Sequence, residues 1–240
     1  MLYGGEPRFK RYLPLNYTRL ENFSKIDLYF CLWQDYEYND MNLNFSVIED
    51  GNIITRIQSC LPKNVHLKNL IEIPKPDISE KSKKIKSDML FSNIHYFLPD
   101  IDNYVERLLY QKNALYECFR LIREEYDCII RYRIDGYPTE KIDLKKLNLN
   151  DFVYTPRNMR QGVSDIYPKI NDQFAIGNFY NMKIYFDNYN NIGKYVEKDP
   201  KNGQFETCLS CHLIENDIKI KHSEFGYHLI KEHTGFILNE

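Results

Sequence analysis

Apolar positions along the chain first gather in the run IDLYFCLW, residues 26–33, where branched and aromatic side chains continue until polar Gln34 and Asp35. Such a run predicts a buried strand over Ile26–Trp33. Ahead of it, residues 1–3 leave room only for a very short strand before Gly4-Gly5, a pair that permits a tight turn. Apolar stretches at 45–48 and 53–57 flank Glu49-Asp50-Gly51-Asn52 and predict a hairpin. Two prolines and a dense lysine run between 73 and 86 predict an extended, solvated loop, mobile over 74–88. After Pro99 the period changes: Val105, Leu108, Leu109, Leu115, Cys118, Phe119 and Ile122 recur at helical spacing over about five turns. The segment YDCIIRYRID, 126–135, then carries a short apolar run into charged residues before Gly136 and Pro138 break it, which predicts a buried strand with a polar tip. Short strands are predicted at 152–154 and 174–176, and helices at 181–189 and 205–214. Alternating strands and helices imply an α/β fold, with residues 1–240 as one domain.

Composition narrows the function classes. A chain of 240 residues with 43% hydrophobic content can bury one sizeable core without a second. Its 32 Lys plus Arg against 34 Asp plus Glu, net charge -2, create no global field that would draw it to nucleic acid or an anionic membrane. No apolar stretch approaches the roughly 20 residues of a membrane-spanning helix, and no basic-then-apolar leader opens the chain. A soluble, cytoplasmic protein without a transmembrane segment is expected. Cysteines 31, 60, 118, 128, 208 and 211 lie mostly within apolar patterns, so reduced thiols are expected.

In open α/β sheets ligands bind beyond the carboxyl ends of strands, which directs attention to Arg131, Arg133 and Asp135. Strand alternation puts the three on one face, where a carboxylate can hold a divalent cation and a guanidinium can contact phosphate; an ordinary strand-end ion pair is the alternative. Asp172, in Asn171-Asp172-Gln173 before apolar FAIG, is placed either to act as a general base or simply to make a turn. Glu206 opens a predicted helix, where a carboxylate also compensates the helix dipole. Asp100-Ile101-Asp102 directly precedes the long helix and is better explained as helix capping than as a metal motif. Cys208-Leu209-Ser210-Cys211-His212 spells a haem-attachment pattern, but its helical amphipathicity argues against that chemistry. His212 itself is open to phosphate contact, metal binding or burial. With 15% aromatic residues the chain has ample rings to stack on a sugar or base; Trp33, at the end of its strand, is the one best placed, with core packing as the alternative. Arg8, just after the first turn, is a candidate diphosphate contact.

The segments YDCIIRYRID, NDQFAIGN and ETCLSCHLIENDIKI, together with Gly5-Glu6-Pro7-Arg8 and IDLYFCLWQD, resemble in order and spacing a family of bacterial and viral glycosyltransferases of the GT-A type. The resemblance spans most of the chain. It implies a single Rossmann-related domain with a mixed, mainly parallel central sheet flanked by helices. It also implies transfer of a sugar, with a hexose expected, from a nucleotide-sugar donor, with UDP as the expected nucleotide, to a hydroxyl of a glycan or glycoconjugate. On that resemblance Arg8, Trp33, Arg131, Arg133 and Asp135 would bind the donor, and Asp172 or Glu206 would serve the acceptor. Asp135 and His212 would hold Mn²⁺ or Mg²⁺. GT-A enzymes usually carry Asp-x-Asp at this strand tip, whereas this chain has Arg133-Ile134-Asp135, so the Arg133 guanidinium is placed to replace part of the ion's charge. A catalytically silent nucleotide- or glycan-binding protein of the same fold is the other reading of that departure.

Overall fold

The computed structural model describes residues 2–5, 22–33, 61, 63–74, 76–91, 101–133, 136–156, 170–198 and 205–229. Seven strands form the main sheet: β1 (Leu2–Gly5), β2 (Ile26–Trp33), β3 (Val65–Ile73), β4 (Ile129–Tyr132), β6 (Phe152–Thr155), β7 (Phe174–Gly177) and β8 (Lys219–His222). Two further short strands, β5 (Gly136–Pro138) and β9 (Tyr227–Leu229), pair antiparallel beside it. The order in the main sheet is β3-β2-β1-β4-β7-β6-β8. β7 runs against its neighbours β4 and β6, and the remaining pairs are parallel, giving the mixed, mainly parallel sheet expected.

Side-chain alternation divides the core into two layers. Leu28, Phe30, Ile130, Tyr132, Phe174 and Ile176 face one side, where Ile142, Leu144, Leu147 and Phe225 cover them. Leu2, Tyr29, Cys31, Ile129, Val153 and Ala175 face the other, beneath helices α2 (Ile101–Arg120), α3 (Phe179–Lys198) and α4 (Phe205–Glu215). The apolar stripe that predicted α2 is the face it buries: Val105, Leu109, Leu115, Cys118 and Phe119 are all 7% exposed or less.

The lysine-rich segment is not the loop that its prolines and charge suggest. Helix α1 (Ser79–Phe91) occupies most of it. Asp77 accepts hydrogen bonds from the Ser79 backbone N-H at 3.0 Å and from the Ser79 hydroxyl at 2.7 Å, which starts the helix. Ile78, Ser82 and Ile85 are buried, Lys84 and Lys86 pair with Glu197 and Glu106 of the neighbouring helices, and the Lys81 ammonium lies over the Tyr189 ring. The lysines therefore belong to a packed helix. Ile85→Ala is expected to cost at least about 2 kcal/mol in a urea melt, and a change within about 0.5 kcal/mol would restore the loop reading. The predicted hairpin at 45–57 lies outside the described residues. Among the described residues Cys31, Cys118, Cys128, Cys208 and Cys211 are free thiols, as expected, and no helix is long and apolar enough to cross a membrane.

Candidate functional site

Connectivity fixes where a ligand can sit. From β1 the chain moves outward through β2 to β3, then returns to the opposite side of β1 as β4. The two directions part between β1 and β4, and the crevice beyond the carboxyl ends of strands at such a switch point is where open α/β sheets take ligands. β7 enters the sheet at this same end, because its first residue, Phe174, pairs with Tyr132, the last residue of β4. The turn just ahead of β7 is therefore delivered to the mouth of the crevice.

That turn carries Asp172. Asn171 supplies the turn chemistry by accepting the Gln173 backbone N-H at 2.8 Å, which leaves the Asp172 carboxylate available for another role. Asp172 accepts a hydrogen bond from the Lys112 ammonium of α2 at 2.7 Å, and the two side chains are only 15% and 6% exposed. Arg131, 2% exposed, lies on the helix-covered face of β4 and donates from Nη1 to the Gln173 carbonyl at 2.7 Å. Its Nε meets no hydrogen-bond partner among the described residues. The Tyr185 hydroxyl contacts the Asp172 carbonyl at 3.4 Å, and burial holds the phenol well above its ordinary pKa, so it stays a neutral donor.

Electrostatics in this cluster favour the ion pair. Burial alone would raise the Asp172 carboxyl, but the Lys112 ammonium and Arg131, the Lys112 hydrogen bond and then Arg133 outweigh it and hold the carboxyl below the usual carboxylate range. Three cations thus act on one carboxylate. Around Asp172 itself, these cations outnumber the carboxylate they act on.

The strand tip is held by its neighbours on both sides of residues 134 and 135. The Arg133 carbonyl accepts the Gly136 backbone N-H at 3.1 Å and the Tyr227 hydroxyl at 2.6 Å. A Cβ on Gly136 would lie 2.3 Å from the Tyr227 ring, so only glycine lets that ring close over the tip. Asp135 and Arg8 themselves lie outside the described residues, as does Asp100. Trp33 ends β2, its Cα paired with Ile73, at the carboxyl edge. The α2 helix begins at Ile101, immediately after the aspartate expected to cap it.

His212 is not at this site. It is 3% exposed within α4, donating from Nε2 to the Ile184 carbonyl at 2.9 Å and accepting at Nδ1 from the Tyr195 hydroxyl at 3.2 Å. Burial lowers its pKa, in keeping with a neutral ring. With both nitrogens engaged it has no lone pair for a metal, which corrects the expectation of a ligand there. Its neighbours Cys208 and Cys211 are core residues, so the haem-like spelling is a packing pattern. Glu206 lies in the first turn of α4 and is half-buried. Phe205 beside it belongs to the same apolar cluster as Val105 and Leu109 of α2.

Lys112 was not among the residues singled out from the sequence, although a signal for it exists. It falls three residues after Leu109 and three before Leu115, on the buried stripe of α2, where a lysine needs a partner.

No family model matches the chain, and no curated protein matches it. Among solved structures, mouse xyloside xylosyltransferase 1 in its apo form aligns with a TM-score of 0.46 at 10% identity, over 92% of this chain and 83% of that one.

Proposed function

We propose that the protein is a glycosyltransferase that takes a sugar from a nucleotide-sugar donor, UDP-linked as the first candidate, and transfers it to a hydroxyl of a glycan or glycoconjugate. The observation that carries this reading is the cationic cluster of Lys112, Arg131 and Arg133 gathered around Asp172 at the switch point of the sheet. A surplus of positive charge there suits a diphosphate, the anionic part of every such donor. The sugar-transfer chemistry comes from the sequence resemblance to bacterial and viral glycosyltransferases. Arg8, Trp33 and Asp135 belong to the donor side on that resemblance, and a divalent ion at Asp135 is part of the same expectation.

In the reaction the bond between the anomeric carbon and the β-phosphate oxygen breaks, and the acceptor oxygen forms a bond to that carbon. The acceptor proton passes to a carboxylate, and the electron pair of the broken bond leaves on the diphosphate. Positioning the two substrates in the crevice provides much of the rate, and cations aimed at the leaving oxygen provide more. Of the two candidate bases, Asp172 is poorly suited. Its proton affinity is depressed and its Oδ2 is bonded to Lys112, whereas an effective base titrates near the working pH. We assign Asp172 to positioning Lys112 and Glu206 to accepting the proton.

A panel of UDP-, GDP- and TDP-sugars tests the reading by calorimetry and by donor hydrolysis, each with and without Mn²⁺. Binding with slow hydrolysis is expected for at least one donor. Binding with no hydrolysis and no transfer to any glycan would favour the silent binding protein, a reading that the missing first carboxylate of the metal motif also suggests. No binding of any nucleotide would remove the donor site.

A further inference from the structure

The buried cations of the site carry more donors than the described residues satisfy. An ammonium has three N-H groups, and the hydrogen-bond partner of Lys112 among the described residues is Asp172 Oδ2, with the lysine side chain 6% exposed. Arg131, 2% exposed, spends Nη1 on the Gln173 carbonyl and leaves Nε with no partner. Charged donors taken out of water without acceptors are costly, and native proteins rarely leave them so unless a ligand completes the set. An anion with several oxygens within a small volume would complete both cations at once. The same residues fit a divalent cation poorly. Asp172 already neutralises an ammonium, with Arg131 and Arg133 acting on it as well, and no group of three His, Cys, Asp or Glu gathers among the described residues.

We propose that Lys112 and Arg131 form a receptor for the diphosphate of the donor and bring the positive charge that a divalent ion would otherwise supply; this rests on the nucleotide-sugar reading for the remainder of the ligand. Asp172 is then a positioning residue: it holds the ammonium in line before the donor arrives. As the glycosyl bond breaks and charge grows on the β-phosphate, donors that are already aligned meet it without reorganising.

Titration calorimetry with inorganic pyrophosphate and with UDP, GDP and TDP, on protein stripped of divalent ions by EDTA and dialysed, tests the receptor. Pyrophosphate and at least one nucleotide are expected to bind the metal-free native protein. Lys112→Met/Asp172→Asn removes the ion pair as a unit and so spares the fold; it should weaken both ligands by at least about tenfold, while Lys112→Arg retains binding. Affinity that appears only when Mn²⁺ is added overturns the proposal, and this readout needs no variant. So does a double variant that melts and binds like the native protein. If pyrophosphate binds and no nucleotide does, the receptor stands and the nucleotide-sugar reading falls. If a nucleotide binds equally with and without Lys112, the reading stands and the receptor falls. If neither ligand binds, both fall.

Discussion

Lys112→Met is expected to lower the stability of the folded protein by about 3–5 kcal/mol, and Asp172→Asn introduced beside it to restore most of that loss. Removing one partner of a buried pair leaves the other charge uncompensated, whereas removing both takes away the penalty together with the attraction. The low exposure of both side chains puts the pair in that class rather than among surface ion pairs, which contribute little. The pH dependence has a definite sign. The Asp172 carboxyl is held below its unfolded value, so its stabilisation is complete above an unfolded pKa of about 4 and is lost as pH falls through the folded value. In Lys112→Met the largest attraction on that carboxyl is gone, its pKa rises, and the loss of stability on acidification becomes shallower. Urea melts of native, single and double variants at pH 7, 5 and 3 measure this. A single variant as stable as the native protein at pH 7 would show that the pair carries no buried charge.

How far the site was legible before the structure depends on the kind of signal each residue gives. Periodicity found β2 at Ile26–Trp33, and it found α2 because one apolar stripe recurs over many turns. Alternation put Arg131, Arg133 and Asp135 on one face without saying which; the structure has Arg131 on the face that α2 covers. Local charge misled at α1, because lysines on the outer side of a helix and prolines before it give the same composition as a loop; only Ile78, Ser82 and Ile85 on the inner side reveal the packing. β3 passed unnoticed since His66, Lys68 and Asn69 interrupt its apolar run, and its place at the edge of the sheet tolerates them. His212 and Lys112 show opposite limits. Histidine attracts a functional reading by its type, but here a carbonyl and a tyrosine hydroxyl from α3 satisfy it. Lysine on an apolar stripe is easily passed over as a solvated side chain, and its partner Asp172 lies 60 residues away, a pairing that no local pattern contains.

Separating the two carboxylates is the most demanding test of the acceptor side. Glu206→Gln is expected to slow sugar transfer by about 10²- to 10⁴-fold at unchanged donor affinity, the range typical of a positioned general base. That is roughly 3 to 5 kcal/mol of barrier, well beyond what loss of a first-turn dipole contact would give. Asp172→Asn keeps the side chain's shape but releases Lys112, so its effect should fall on donor affinity more than on the chemical step. A carboxylate already stabilised by an ammonium and two guanidinium groups gains little from taking a proton, which leaves Glu206, half-buried in the first turn of α4, as the other candidate. Single-turnover transfer, nucleotide titration and a melting curve, measured together for each variant, keep lost chemistry apart from lost donor and lost fold. Transfer abolished in Asp172→Asn with donor affinity intact, and native in Glu206→Gln, would move the base to Asp172. Native transfer in both would leave neither carboxylate as the base, and the acceptor proton would then have to leave by a group outside this pair.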